Sequence, residues 1–162
     1  MSVWQSAYIG IGSNLEDPRG QVLKAFAALA SLPRTRAVTL SPLYGSKPLG
    51  PIAQPDFVNA AAGVLTQLPP AELLAALRAL EEAQGRPRTY EKWGPRIIDL
   101  DLLIYGRERR ADSELTLPHP GIEKRNFVLY PLAAIAPDLD VPGSGKVAGL
   151  KERIGSTGLW PL

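Results

Sequence analysis

Hydrophobic and polar positions along the chain repeat with two different periods, and the period separates strands from helices. The opening residues Ser2 to Ile11 mix β-branched and aromatic side chains before a glycine turn, which predicts a first strand. From Pro18 to Pro33 apolar residues recur every three or four positions, which predicts an amphipathic helix. Asp17 directly before it is a typical N-cap. A second strand is predicted around Ala37 to Ser41.

The middle of the chain alternates between irregular and regular patterns. The stretch PLYGSKPLGPIAQPD, residues 42–56, holds four prolines and two glycines, so a long connection without regular structure is expected. The run FVNAAAGVLTQ resumes as a strand in which Phe57 and Asn59 share one face. A second helix is predicted from about Pro70 to Gln84, with Gly85 as its C-terminal cap.

The last third predicts one more buried strand, several short strands, a turn or two of helix begun at Pro131, and a tail ending in GLWPL. The order strand, helix, strand, strand, helix, strand with long loops predicts an α+β fold. We expect a two-layer sandwich of ferredoxin-like type, with a mainly antiparallel sheet, helices packed on it and long catalytic loops. No repeat or boundary divides the chain, so residues 1–162 are interpreted as a single domain.

Composition limits the chemistry that the chain can carry. Cysteine is absent and His119 is the only histidine, which excludes thiolate chemistry and multi-histidine metal sites. Any metal must therefore bind through oxygen ligands. No apolar run reaches the roughly 20 residues that span a bilayer, and no signal peptide is recognisable, so the cytoplasm is expected and no membrane partner. The net charge of +2 gives little reason to expect nucleic-acid binding, and a monomer is expected.

Two aspartates interrupt the apolar run in KWGPRIIDLDLLIYG. Because residues two apart in a strand point to the same face, Asp99 and Asp101 should lie side by side, with their Cα atoms about 6.5 to 7 Å apart. The opposite, core-facing side would carry Ile98, Leu100, Leu102 and Ile104. At that separation two carboxylates repel by about 2 to 3 kcal/mol when the effective dielectric is near 20. A compensating positive charge is therefore expected.

Three interpretations of the aspartate pair remain open from the residues alone. The pair could lie on a solvated face of the sheet. It could form structural ion pairs with the preceding cations Arg86, Arg88, Lys92 and Arg96. It could also hold Mg²⁺, which usually takes one or two carboxylates together with substrate phosphates. We favour the third, because a metal-bridged nucleotide clamped by arginines explains the acids and the bases together.

Glycine-rich phosphate loops do not explain how a nucleotide would bind. No G-x-x-x-x-G-K-[ST] loop occurs, and GIGSNL has Leu15 where a dinucleotide fingerprint needs its last glycine. Gly10 and Gly12 are therefore interpreted as positions of close backbone packing. A bound nucleotide would have to be held by side chains.

The segment RPRTYEKWGPRIIDLDLLIYG resembles the signature of the 6-hydroxymethyl-7,8-dihydropterin pyrophosphokinase family. The blocks YIGIGSNL, SPLYGSKPLGPIAQPDFVNAA, LTLPHP and RNFVLYPLAAIAPDL are similar to further family blocks in the same order, over most of residues 8–139. The resemblance implies a folate-pathway enzyme that moves the β,γ-diphosphate of ATP onto 6-hydroxymethyl-7,8-dihydropterin and releases AMP. It also implies two Mg²⁺ ions as cofactors.

The same resemblance implies a role for each matching residue. Asp99 and Asp101 would hold the metal, and Arg86 and Arg96 would contact the phosphates and assist the transfer. Nucleotide contacts are implied for Glu81, Arg88, Lys92, Trp93, Arg96, Ile98, Thr116 and His119. Pterin contacts are implied for Ser46, Pro48, Leu49, Phe57, Asn59, Asp99 and Phe127.

Some of these residues also have a plain structural interpretation. Glu81 lies in the last turn of a predicted helix, where a carboxylate opposes the macrodipole, and it could simply pair with Arg78 one turn earlier. Phe57 and Phe127 would be taken for core residues without the resemblance. With it, two rings and the Asn59 amide suit a flat heteroaromatic ligand.

Two other functions are compatible with the residues. An ordinary kinase would transfer one phosphoryl group and release ADP, since the residues do not show which phosphorus is attacked. An RNA-binding module is the alternative from another class, because a ferredoxin-like sheet with basic loops and a tryptophan could stack bases. No RNP-like aromatic motif is present, however, and paired aspartates would repel a phosphate backbone.

Overall fold

The structure is a computed structural model that describes residues 3–86 and 94–162. The site roles predicted for Arg88, Lys92 and Trp93 therefore lie outside the described residues. Within the described ranges, no helix is both long and apolar enough to cross a bilayer.

The main elements alternate between strands and helices in the first two thirds of the chain. In order they are β1 (Gln5–Ser13), α1 (Pro18–Leu29), β2 (Thr35–Leu40), β3 (Tyr44–Ser46), β4 (Phe57–Thr66), α2 (Pro70–Ala83), β5 (Asp99–Tyr105), β6 (Arg110–Ala111), β7 (Thr116–Leu117), α3 (Asn126–Ile135), β8 (Asp140–Val141), β9 (Gly145–Lys146), α4 (Val147–Ile154) and β10 (Leu159–Pro161). A short 3-10 turn, Ile122–Lys124, precedes α3. The main sheet has the order β10-β3-β4-β1-β5, and β2 also pairs with β4. Every ladder is antiparallel.

Two hydrophobic cores lie on opposite faces of this sheet. On one face α1 and α2 pack against β1, β4 and β5, and Ile9, Leu77 and Leu100 are fully buried there. On the other face α3 and α4 pack against the sheet around Leu103 and Leu129. The predicted α+β fold with a mainly antiparallel sheet is confirmed. The prediction of two layers is incomplete, because α3 and α4 form a third.

The predicted helix ends are confirmed where local chemistry determines them. The Asp17 carboxylate accepts a hydrogen bond from the Gly20 N–H at 3.3 Å, and Pro18 occupies the first helical position of α1. Gly85 follows α2 with φ of +111°, a conformation that favours glycine.

The prediction of an irregular connection over residues 42–56 is wrong at Tyr44–Ser46, which forms β3. This strand lies between β4 and the C-terminal β10. A Cβ atom at Gly45 would overlap the Trp160 indole, so β10 can pack this closely only because residue 45 is glycine. The sequence did not predict β10, and without it β3 had no second partner to stabilise it.

The helix expected to begin at Pro131 begins five residues earlier, at Asn126. The Asn126 Nδ2 group donates to the carbonyls of Gly155 and Thr157, which ties the start of α3 to the segment before β10. Proline is common at helix starts, but here Pro131 lies inside the helix and lacks the N–H that would bond one turn back.

One core position on β5 was assigned to the wrong face. Tyr8 pairs with Ile104, whereas its neighbour Ile9 pairs with Leu102, so Leu103 is the extra residue of a β-bulge. Beyond the bulge the faces exchange, and Ile104 packs in the core of α3 and α4. Ile98, Leu100 and Leu102 face α1 and α2 as predicted.

Candidate active site

An open cleft lies above β1, β4 and β5, between α3 and the segments that precede β4 and β5. Its free space, counted together with the solvent at its mouth, is about 730 Å³. The predicted site residues that line it are Ser46, Leu49, Phe57, Asn59, Arg96, Asp99, Asp101 and Phe127. They come from four separate parts of the chain, so the cleft is a product of the tertiary fold.

The floor of the cleft includes two positions of β1 that lack side chains, Gly10 and Gly12. Gly12 pairs with Asn59 on one side and with Asp99 on the other, and Gly10 pairs with Asp101 in the same way. A Cβ atom at Gly12 would lie 3.4 Å from the Asn59 Oδ1 atom. The sequence interpreted both glycines as close packing and missed this role. The available signal was their period of two, which matches that of the aspartates.

Asp99 is neutralised within the protein by two arginines. Its Oδ1 atom accepts from Arg86 Nη1 at 2.8 Å, and its Oδ2 atom accepts from Arg96 Nη1 at 3.2 Å. Arg86 also donates to Glu81 Oε2 at 2.6 Å, and its side chain is only 7% exposed. The pairing of Asp99 with preceding arginines, which one of the three interpretations expected, is thus present in the structure. These pairs place both predicted catalytic arginines at the carboxylate.

Asp101 has a different environment. Burial and, after it, the negative charge of Asp99 together raise the pKa of its carboxyl to about 7, and the charges of Arg78 and Arg125 oppose this shift. The His119 Nε2 atom lies 3.9 Å from Asp101 Oδ1. The nearby cations thus do not fully offset the burial of Asp101 and its repulsion by Asp99.

His119 is held as a neutral hydrogen-bond donor beside this pair. Its Nδ1 atom accepts from the Gly121 N–H at 3.0 Å, so the ring proton is on Nε2, the atom nearest Asp101. Burial, followed by the charge of Arg125, lowers the pKa of the imidazole to about 4. His119 therefore stays uncharged at neutral pH and can donate but not neutralise.

Two side chains of α2 complete the backbone hydrogen bonds of β5 between the aspartates. The Leu100 N–H donates to Glu81 Oε2 at 2.7 Å, and Arg78 Nη1 donates to the Leu100 carbonyl at 2.8 Å. Glu81 is 3% exposed and also accepts from Arg78 Nη1 at 2.8 Å. The predicted pairing of Glu81 with Arg78 is confirmed. The carboxylate lies beneath Arg86 and does not line the cleft.

The opposite end of the cleft is built from aromatic and amide groups. Asn59 is buried, and its Nδ2 group donates to Ser46 Oγ at 2.7 Å, which links β4 to β3. Phe57 and Phe127 both line the cleft. Arg125 also lines it, with its guanidinium 5.9 Å from the centre of the Phe127 ring. The sequence missed Arg125, although it lies in the RNF block just before Phe127.

Several predicted site residues do not line the cleft in this structure. They are Pro48, Glu81, Arg86, Ile98, Thr116 and His119. Arg86 and His119 nevertheless approach the aspartates directly. The Ile98 side chain is fully buried in the core of α1 and α2, so a nucleotide contact there would have to use its backbone.

Comparison with known proteins gives consistent results. The family model described as 7,8-dihydro-6-hydroxymethylpterin-pyrophosphokinase (HPPK) matches residues 8–137. A 2-amino-4-hydroxy-6-hydroxymethyldihydropteridine pyrophosphokinase of Pseudomonas aeruginosa is 50% identical over 138 residues, 85% of each chain. The protein of the same name from Haemophilus influenzae is 48% identical over 91% of this chain and 92% of its own.

Among solved structures, a Plasmodium falciparum HPPK-DHPS protein is similar with a TM-score of 0.73 over 94% of this chain. The two are 13% identical, and this chain spans 44% of that longer one. The structural likeness therefore shows the fold.

Proposed function

The chain belongs to the 7,8-dihydro-6-hydroxymethylpterin-pyrophosphokinase family, and on that premise we propose that its cleft transfers the β,γ-diphosphate of ATP to the hydroxymethyl group of 6-hydroxymethyl-7,8-dihydropterin in folate biosynthesis. One observation carries the proposal. Asp99 and Asp101 face the same cleft as Phe57 and Asn59, across a glycine floor. A phosphate-handling end and a slot for a flat ring thus share one space.

The reaction breaks one bond and forms one. The hydroxymethyl oxygen attacks the β-phosphorus of ATP, and the bond between this phosphorus and the oxygen that bridges to the α-phosphorus breaks. AMP leaves with the bridging oxygen, and the hydroxyl proton is lost to solvent. Such transfers need alignment and charge neutralisation rather than a protein nucleophile, which agrees with the absence of cysteine.

The donor set fits magnesium. Asp99 and Asp101 offer hard carboxylate oxygens, and the raised pKa of Asp101 reflects a pair that favours additional positive charge. These residues would hold two Mg²⁺ ions. Within residues 3–86 and 94–162 no three acidic or histidine side chains cluster as a metal site, so phosphate and water oxygens would complete the coordination. When bound, magnesium neutralises the phosphate charge during attack at the β-phosphorus.

Arg86 and Arg96 supply positive charge beside the aspartate pair. Both donate to Asp99, and a guanidinium has further donors that suit phosphate oxygens. With Mg²⁺ held by Asp99, these further donors would contact the transferring diphosphate. His119 adds a neutral donor next to Asp101. Glu81, Arg88, Lys92, Trp93, Ile98 and Thr116 complete the proposed nucleotide site.

The pterin occupies the aromatic end. Phe57 and Phe127 provide ring faces for stacking, and Asn59 Oδ1 provides an acceptor at the edge of the slot. Ser46, Pro48 and Leu49 border it. As further parts of the proposal, the enzyme acts as a monomer in the cytoplasm, without a nucleic-acid or membrane partner.

Product analysis tests the reaction. The protein is incubated with ATP, Mg²⁺ and 6-hydroxymethyl-7,8-dihydropterin, and nucleotides and pterins are identified by chromatography and mass spectrometry. We expect one AMP and one pterin diphosphate per turnover, and no AMP with a 6-methyl pterin that lacks the hydroxyl. ADP with a pterin monophosphate would overturn the proposal in favour of an ordinary kinase.

A further inference from the structure

Asn14 closes β1 with an amide whose groups are all engaged. The residue is 2% exposed. Its Nδ2 group donates to Gln54 Oε1 at 2.8 Å and to the Pro55 carbonyl at 2.9 Å, and its Oδ1 atom accepts from the Arg96 N–H at 2.8 Å. The backbone N–H of Asn14 donates to the Arg96 carbonyl at 3.0 Å. One side chain thus joins residues 54–55 to Arg96, which lies 41 residues further along the sequence than Pro55.

The contact with Arg96 extends the pairing between β1 and β5. The last paired residues of these strands are Gly12 and Asp99. Beyond them, the Asn14 side-chain oxygen takes the place of a backbone carbonyl, so the N–H and the carbonyl of Arg96 both bond to one residue. This fixes the backbone from which the Arg96 guanidinium reaches Asp99 Oδ2.

The contact of Asn14 with residues 54–55 concerns the proposed pterin slot. These residues lead directly into β4, which begins at Phe57 and carries Asn59 two residues later. The two Nδ2 hydrogen bonds of Asn14 therefore fix the position of the segment that leads into the aromatic slot. A single buried amide sets the separation between the slot and the phosphate-binding arginine.

We propose that Asn14 is a positioning residue for diphosphate transfer, which holds the pterin slot and Arg96 in register. The inference rests on the proposed two-substrate reaction, and Asn14 itself does not line the cleft. Its loss should lower kcat more than it raises either KM, because each substrate keeps its own contacts while their alignment is lost. A misplacement of about 1 Å between reacting groups can cost about 100-fold in rate.

The positioning role needs both the donors and the acceptor of the Asn14 amide, because the donors bind residues 54–55 and the acceptor binds the Arg96 N–H. Asn14→Asp keeps an acceptor for the Arg96 N–H but loses both donors to residues 54–55. Asn14→Leu removes all three bonds at similar volume. The two variants therefore separate the bond to Arg96 from the bonds to residues 54–55. Asn14→Asp is nearly isosteric, so it keeps the inference testable if Asn14→Leu does not fold.

Thr66→Val is a matched control for general destabilisation. Thr66 is fully buried near the opposite end of β4, and its Oγ1 atom bonds to Thr35 Oγ1 at 2.8 Å and accepts from the Leu68 N–H at 3.1 Å. The substitution replaces a buried, hydrogen-bonded hydroxyl by a methyl group of similar size, far from the cleft. It should lower Tm without changing kcat.

The experiment measures Tm, kcat, both KM values and amide hydrogen exchange at Arg96. We expect kcat to fall by at least about tenfold in Asn14→Leu and by less in Asn14→Asp, with smaller changes in KM. Exchange of the Arg96 N–H should accelerate in Asn14→Leu and stay protected in Asn14→Asp. Unchanged kcat in folded Asn14 variants, or an equal loss in Thr66→Val, would overturn the inference.

Failure of the proposed reaction gives a different result. In that case the wild-type protein releases no AMP, while hydrogen exchange of the Arg96 amide still shows whether its bond to Asn14 is formed. If the wild type releases AMP and the Asn14 variants match its kcat, the positioning role alone is wrong.

Discussion

The two aspartates of the D-x-D pattern differ in their surroundings although they share a strand face. Both oxygens of Asp99 accept from arginines, whereas burial and the charge of Asp99 raise the pKa of Asp101 to about 7. In the metal-free protein the folded state therefore binds a proton at Asp101 more tightly than the unfolded chain, whose aspartate pKa is about 3.9. The proton-linked stability is complete below about pH 4 and is lost as pH rises through about 7.

Asp101→Asn removes this titration and should stabilise the metal-free protein at neutral and alkaline pH. In EDTA at pH 8 we expect an increase in unfolding free energy on the order of 4 kcal/mol, and little difference from the parent at pH 4. Denaturant titrations at the two pH values measure it. A variant equally stabilised at both would show that Asp101 carries no such proton.

The same variant should lose catalysis. With Mg²⁺ and both substrates, kcat should fall by at least about 100-fold, because one metal ligand is gone. Asp138→Asn at an exposed position makes the same change in net charge and should leave kcat unchanged. Full turnover of Asp101→Asn, with unchanged metal affinity, would remove Asp101 from the mechanism.

At the scale of elements, β1 is specialised by what it lacks. Glycine inside a strand usually weakens it, yet Gly10 and Gly12 lie between two strands that carry the site side chains. The missing side chains create the floor on which a flat ligand can lie. The two glycines lower the local stability of β1, and their lack of side chains leaves the floor of the cleft accessible.

Gly12→Ala should separate stability from binding. A methyl group there enters the cleft 3.4 Å from Asn59 Oδ1, so the KM for the pterin should rise severalfold. The unfolding free energy should change little or rise by about 0.4 to 1 kcal/mol, because alanine restricts the unfolded chain. Steady-state kinetics and denaturant titration measure both.

Gly149→Ala is the corresponding control in α4. Apart from its chain neighbours and the backbone of α4, no atom of residues 3–86 and 94–162 lies within 4 Å of a Cβ atom at this position. Helical alanine is favoured over glycine by about 1 kcal/mol. We expect a more stable protein with unchanged kinetics. If Gly12→Ala behaved in the same way, the floor would have no role in pterin binding.

At the scale of the whole molecule, the cleft draws on elements from both cores. β4 and β5 contribute side chains to both cores, α3 packs in the second one, and the segments before β4 and β5 close the sides of the cleft. Ligands that bridge these elements bind the folded chain only. They should therefore raise its thermal stability by mass action.

A non-transferring nucleotide, α,β-methylene ATP, makes this measurable by calorimetry. At about 100 times its Kd in Mg²⁺, it should add about 2.7 kcal/mol of stability. For a chain of this size, that corresponds to a Tm increase of roughly 5 to 10 °C. EDTA should remove most of the increase, and so should Asp101→Asn. A shift that is insensitive to both would mean that the nucleotide binds elsewhere.

Local patterns in the sequence were sufficient for several regular elements and for the placement of the aspartate pair. The period of two placed Asp99 and Asp101 on one face, and Asp17 and Gly85 marked helix ends, because these features depend on neighbours within one or two turns. The resemblance to a known family supplied most of the cleft residues. These signals needed no knowledge of which strands meet.

Tertiary structure alone decided the features that depend on distant partners. It paired β3 with the unpredicted β10, placed Asn14 between Gln54 and Arg96, and gave two similar aspartates different surroundings. Each of these outcomes depends on contacts between residues that lie far apart in sequence, and no local pattern encodes such a distance. The sequence by itself thus determined which groups are present and that the two aspartates share a strand face, and only the fold decided which groups meet.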